Sequence, residues 1–295
     1  MNINKTINKK KIIIGTANFS LEYGVVNNFK KIKTDEIKKV IKTCEDNNLN
    51  FIDTAKGYGD SEKLIGEYKK KNFNIITKIP KIYLQDEKKI TNYIKDLIHD
   101  SLKKLKVKNF YAILLHDENQ LLNKNSKYVY KILKKLQKKK LFNKLGVSFY
   151  CPKKLIKTIS LFNIDVVQLP INYINQSFLN ENLLSLLKKK NIEIHARSIF
   201  QQGILIKKNI KIKKFKNFSN YLDLWHKESK FSRLETAINF IDSQRYIDKY
   251  IIGFQNSKQI LQILNTKKVK ITSYPDYKDN YLKDPRRWKH LKIKK

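Results

Sequence analysis

Short apolar runs alternate with stretches of helical periodicity along almost the whole chain, and this alternation restricts the fold more than any other feature. A first strand is expected at Lys11 to Gly15, followed by a helix capped by Thr34 that gathers Ile37, Val40, Ile41 and Cys44 on one face. Leu49 to Asp53 reads as the second strand, a helix starts at Ser61, and Phe73 to Lys78 reads as the third strand. Ile90, Tyr93, Ile94, Leu97, Ile98, Leu102 and Leu105 keep a helical period before a fourth strand at Phe110 to His116. A helix through Val129, Ile132, Leu133 and Leu136 leads to strand five at Lys144 to Ser148, and Pro152 opens the next helix, where its missing N–H costs little. Asp165 to Leu169, Ile192 to Arg197 and Tyr250 to Gly253 complete the strands, with helices through Leu183 to Leu187, from a Ser232/Glu235 capping box, and through Ile260 and Leu264. Between them, residues from about 206 to 230 are basic and aromatic and are expected to form a long loop, and residues from about 265 to 295 a C-terminal tail. Eight strand–helix units in 295 residues favour a single-domain, closed (β/α)8 TIM barrel over an open doubly wound sheet.

Charge is the feature that most invites another reading. Lys and Arg number 63 against 26 Asp and Glu, a formal charge of +37, and such a balance raises nucleic acid or an anionic membrane as partners. The composition supplies a simpler reason. Lys, Asn, Ile, Tyr and Phe are abundant together while Arg, Ala, Gly and Pro are scarce, as an A+T-rich coding sequence would give. The lysines spread over every helix face and loop, and no helix-turn-helix, zinc or RNA-stacking signature accompanies them, so a nucleic-acid partner is not expected. The apolar run Ile12 to Ile14 near the N-terminus is too short for a signal or membrane segment, which makes the expected location cytoplasmic. Cys44 and Cys151 are far apart in sequence, and no His or acid cluster has metal-ligand spacing.

In a parallel barrel, polar residues at the C-terminal ends of strands face the site and not the core. Asp53 ends strand two, Tyr58 follows in its loop, Lys78 ends strand three and His116 ends strand four. Ser148, Gln168, Arg197 and Gly253 end strands five to eight. One site at the barrel mouth accounts for this repeated placement.

These residues also carry a resemblance. Phe51-Ile52-Asp53-Thr54-Ala55-x-x-Tyr58-Gly59-x-Ser61-Glu62, Thr77-Lys78, Leu115-His116-Asp117, Gly146-Val147-Ser148 and Ile252-Gly253 occur in the order seen in the aldo-keto reductases, and the match spans most of the chain. The runs Gln168 to Asn172 and His195 to Gly203 are similar to a bacterial branch associated with surface-sugar biosynthesis.

The resemblance implies hydride transfer from a nicotinamide cofactor to a small-molecule carbonyl, with Tyr58 as general acid. A tyrosine of pKa about 10 is a weak acid near neutrality, and the Lys78 ammonium is expected to lower that value. Asp53 would keep the lysine charged and oriented, and His116 would hydrogen-bond the substrate oxygen. Ser148 and Gln168 would hold the nicotinamide carboxamide, and Arg197, standing where the family has an aromatic residue, would stack on the ring or form a salt bridge at the mouth. The adenosine end would lie on Gly253 to Gln259, including Gln255 and Gln259, where the start of the last helix suits an anion. The chain departs from the family there: Gln262-Ile263 stands in place of a Glu-Asn pair, and an arginine clamp for a 2′-phosphate is missing. NADPH is therefore a family default that leaves NADH open. Phe19, Tyr23, Gly24 and the stretch Tyr274 to Trp288 either line the mouth or pack outside it. Two other roles stay open on sequence grounds, a non-catalytic cofactor-binding regulatory or interaction subunit of the same fold and a basic nucleic-acid binder.

Overall fold

The computed structural model describes residues 6–27, 31–210 and 212–291; the outermost residues of the N-terminal segment and of the C-terminal tail lie outside this range. Within it the chain runs β1 (Ile12–Gly15), α1 (Ala17–Ser20), α2 (Thr34–Asp46), β2 (Phe51–Asp53), α3 (Ser61–Tyr68), β3 (Asn74–Ile79), α4 (Glu87–Leu105), β4 (Phe110–Leu115), α5 (Ser126–Lys138) and β5 (Phe142–Ser148). It continues through α6 (Pro152–Leu161), β6 (Val166–Pro170), α7 (Glu181–Lys189), β7 (Glu193–Arg197), α8 (Lys216–Ser229), α9 (Arg233–Asp242), β8 (Lys249–Ile252), α10 (Ser257–Leu264) and α11 (Asn280–Lys283). The strands form a closed parallel barrel in sequence order, and β8 returns to β1 with Ile12 opposite Tyr250 and Ile14 opposite Ile252. This is a (β/α)8 barrel.

The strands read as near-continuous apolar runs because both faces are covered. Every residue of β1 and of β6 is buried, as expected for parallel strands with side chains inside the barrel and helices outside it. Ile13, Ile76, Ala112, Leu114 and Val166 fill the barrel interior. The helices pack one stripe each onto the outer face: α4 buries Ile90, Ile94, Ile98, Ser101 and Leu105 and is capped by Asp86, whose carboxylate accepts from Lys89 N at 2.7 Å. The capping box at Ser232 and Glu235 is formed, and Pro152 is at the first turn of α6. Thr34 does not act as a cap; it is the first residue of α2, and Lys33 precedes it without a side-chain cap bond.

The expected loop over 206–230 is corrected. Its second half is a 14-residue helix, α8, preceded by a short 3-10 turn at Lys213–Phe215. Phe215, Phe218 and Leu222 lie three and four residues apart and are buried, so the helix is held by one apolar stripe. No capping side chain marks its start, and the surrounding lysines and aromatics hide the period. The tail is anchored as well: Leu282 and Trp288 are buried, and Trp288 packs its ring 5.0 Å from that of Phe215.

Candidate active site

Side chains in a strand alternate between the two faces, so a residue two positions beyond an interior one points into the barrel mouth. Phe51 and Ile76 pack with the interior cluster, and Asp53 and Lys78 follow them on the same face, one strand apart. Leu114 is likewise followed by His116, one residue past the end of β4, and Val166 by Gln168. Ser148 and Gln168 are register partners across β5 and β6.

Lys78 and Asp53 are 2% and 3% exposed and form a direct ion pair at the floor of the mouth. The ammonium also donates to Thr54 O at 2.9 Å, and Gln168 Nε2 donates to the second oxygen of Asp53 at 2.8 Å. Both carboxylate oxygens are therefore engaged and the pair is locked in place. Half-buried Tyr58 sits above it, with Lys78 Nζ 5.3 Å from the ring centroid and the His116 ring 6.1 Å away, nearly perpendicular.

The loop that carries Tyr58 is itself pinned. Tyr58 N donates to Ala55 O, and Ser61 Oγ donates to the carbonyls of Tyr58 and Thr16. Gly59 has φ +57°, and a Cβ there would lie 2.7 Å from Ser20 Oγ, so both backbone and space call for glycine. Glu62, buried at 2% exposure, accepts from Thr77 Oγ1 at 2.7 Å and from Ser101 Oγ at 2.9 Å. It thereby ties α3 to β3 and α4.

The electrostatics correct one expectation. Burial pushes the Tyr58 phenol above its ordinary value, the Asp53 charge adds to this, and Arg197 opposes it. Burial and the Asp53 carboxylate together outweigh the opposing cation, and Tyr58 rests as the neutral phenol. Burial lowers the Lys78 pKa while Asp53 works against that. His116 is pushed down to about 3 by burial, with the Lys78 and Arg197 charges adding, so its imidazole is neutral near pH 7.

Asp53, Tyr58 and His116 face one cavity of about 670 Å³ that runs on to Gln255, Gln259 and Gln262, within the roughly 300–1,000 Å³ of ligand sites; Lys78 lies behind this lining and meets it through Asp53. Ser148, Gln168, Arg197 and Gly253 also line it. Arg197 donates from Nη2 to Phe149 O at 3.1 Å and stacks its guanidinium 4.0 Å from the Tyr150 ring centroid. Its Nε is buried with no partner among the described residues, and no carboxylate among them pairs with it. Arg286, paired with Asp284, covers Tyr150 at 3.8 Å.

The turn after β7 forms another wall of the cavity. Ser198, Gln201 and Gln202 are non-glycine residues with positive φ, a conformation that persists only where the surroundings impose it. Asn172 Nδ2 donates to Ser198 O at 2.9 Å and to Gln201 Oε1 at 3.0 Å, and Gln201 Nε2 donates to Leu282 O at 2.6 Å. Tyr23 and Gly24 line the mouth, whereas Phe19 is buried against Phe254.

The Tyr58 end of this cavity offers the polar side chains of Ser148, Gln168 and Arg197. At the far end, several donors about the start of α10 have partners within the protein. Ser257 N and Oγ both donate to Glu36 Oε1, at 2.7 and 2.8 Å, Gln259 N donates to the Asn256 side chain at 3.0 Å, and Gln255 N donates to Gln259 Oε1 at 2.7 Å. Three of the amides about the start of α10 are thus paired within the protein.

Sequence reasoning missed Tyr150, Glu36 and Glu118. Glu118 accepts from Tyr150 N and Cys151 N at 2.7 and 3.0 Å and pairs with Lys154, which fixes the loop bearing Tyr150. None of the three sits at a strand end or in a local motif, so no period marks them.

A closed barrel with a buried Asp–Lys pair, a tyrosine and a histidine at its C-terminal mouth defines the class. The Aldo/keto reductase family profile matches residues 11–275, and the chain belongs to that family. Among solved structures it is similar to an aldo-keto reductase from Bacillus halodurans in its holo form, at 13% identity and a TM-score of 0.68 over 95% of this chain and 90% of that one. It is also similar to a glycerol dehydrogenase from Gluconobacter oxydans, at 19% identity and a TM-score of 0.66 over 92% and 89%. At these identities the likeness is one of fold. No curated protein matches the chain significantly.

Proposed function

We propose that the protein is a cytoplasmic, nicotinamide-dependent reductase that converts an aldehyde or ketone, of the sugar-derivative class, to the alcohol. The observation that carries this reading is the Asp53–Lys78 pair beneath a neutral tyrosine, with a neutral imidazole across the ring, where Asp53, Tyr58 and His116 line one cavity. Ser148, Gln168 and Arg197 border the end where the nicotinamide would be held, and when bound the cofactor supplies the hydride. The protein's part is to place the carbonyl and protonate its oxygen. His116 donates one hydrogen bond to that oxygen from its neutral imidazole, and Tyr58 Oη–H lies ready as the proton donor. As negative charge grows on the substrate oxygen, proton transfer from Tyr58 becomes favourable, and the adjacent ammonium of Lys78 stabilises the phenolate left behind. Asp53 and Gln168 keep that ammonium in position. In oxidation the same groups act in reverse.

The test is turnover of a panel of aldoses, keto sugars and simple aldehydes, followed by absorbance of the reduced nicotinamide. Tyr58→Phe is expected to lower kcat by roughly 10²–10⁴-fold, the range of general acid catalysis, while leaving cofactor binding in place. Cofactor binding without turnover of any carbonyl, and with Tyr58→Phe indistinguishable from the native chain, would reject the reading.

A further inference from the structure

The far end of the cavity bears on which dinucleotide enters it, provided that the nicotinamide-dependent reading above holds. With the reactive end at Tyr58, the adenosine half extends toward the start of α10, because the cavity runs continuously from one to the other. Three neutral amides, Gln255, Gln259 and Gln262, line that end. A dianionic phosphate there would need cations or unused N–H donors. Neither is offered. Glu36 of α2, just behind the lining, takes both donors of Ser257, while Gln259 N donates to Asn256 and Gln255 N to Gln259.

The arginines are placed elsewhere. Arg197 is against Tyr150, Arg233 is paired with Asp223, Arg245 with Glu181 and Arg286 with Asp284, and Arg287 is exposed in the C-terminal 3-10 segment Pro285–Leu291. Lys39 lies 4.0 Å from Glu36 with its side chain 69% exposed, and Lys258 is exposed, so solvent and salt screen both. Of the lysines, Lys207 lines the cavity beside the turn after β7, donating to Val26 O.

From this arrangement we infer that the protein selects NADH over NADPH, with Glu36 at the start of α10 as the specificity-determining residue. A ribose 2′-hydroxyl is a donor that acids and amides accept, whereas a 2′-phosphate meets the Glu36 carboxylate as a like charge. This replaces the family default of NADPH.

The experiment is fluorescence titration of the full chain with NADH and with NADPH at moderate salt, with 5′-AMP and 2′,5′-ADP as competitors against bound NADH. NADH is expected to bind at least about tenfold more tightly, and 5′-AMP to displace it better than 2′,5′-ADP. Equal or tighter binding of NADPH would overturn the inference while leaving the functional reading intact. Binding of neither would reject the functional reading and the inference with it. Glu36→Gln keeps an acceptor for Ser257 while removing the charge, and is expected to shift the affinity ratio toward NADPH by threefold or more. Native-like circular dichroism with an unchanged ratio in that variant would refute the role of Glu36.

Discussion

Lys78→Met probes the floor of the site. The substitution keeps most of the side-chain length but removes the ammonium, leaving Asp53, 3% exposed, with Gln168 as its remaining side-chain partner. Removing one member of a buried ion pair typically costs about 3–5 kcal/mol, because a charge is left without compensation in a dry environment. That is a shift of two to nearly four orders of magnitude in the unfolding equilibrium at about 1.4 kcal/mol per tenfold, and a large share of a total stability of roughly 5–15 kcal/mol. Denaturant unfolding of Lys78→Met, Asp53→Asn and the double variant measures it. The double variant is expected to be more stable than Lys78→Met alone, since the neutral amide no longer needs a cation. Lys78→Met unfolding at the native midpoint, or the two substitutions adding without coupling, would refute the claim that the pair is a locked, mutually dependent unit.

Further outcomes are expected elsewhere in the molecule. With its folded-state pKa near 3 against an ordinary 6.5, His116 excludes a proton that the unfolded chain accepts. Its contribution to stability is thus complete above about pH 6.5 and declines as the pH falls toward 3; His116→Gln should flatten that part of a stability–pH curve. The same value predicts that kcat/KM shows no histidine step attributable to His116 between pH 5 and 8. Gly66→Ala places a Cβ 2.0 Å from Lys104 O, where α3 meets α4, and is expected to cost roughly 1–3 kcal/mol by overpacking in a thermal melt. Tyr150→Leu removes the ring between Arg197 and Arg286, and should raise KM for cofactor or substrate, with a stability loss of about 0.5–2 kcal/mol for each of the two cation–π interactions.

Much of this molecule is legible in one dimension. Strand ends are within a residue or two of where the apolar runs stop, and the period of two explains why Asp53, His116 and Gln168 share the mouth with Lys78 paired behind Asp53. The capping box at Ser232 announces α9 in the same way. α8 is not legible, because it lacks a cap and its stripe of Phe215, Phe218 and Leu222 lies among lysines and other aromatics. The state of Tyr58 is not legible either. A lysine nearby suggests a more acidic phenol, but burial and the Asp53 charge decide the direction, and both depend on three-dimensional surroundings.

The sequence by itself determined the barrel, its family and the four residues that meet around Tyr58, since these follow from local periodicity and from motifs read at successive strand ends. Only the tertiary structure decided the contacts between distant residues that set charge at the barrel mouth. Gln168 reaches Asp53 across 115 residues, Glu36 caps the start of α10 across 221, and Tyr150 joins an arginine of β7 to one of the C-terminal segment. Such pairings arise when closure of the barrel brings distant strand ends and helix starts together, and no local period in the chain records which of them will touch.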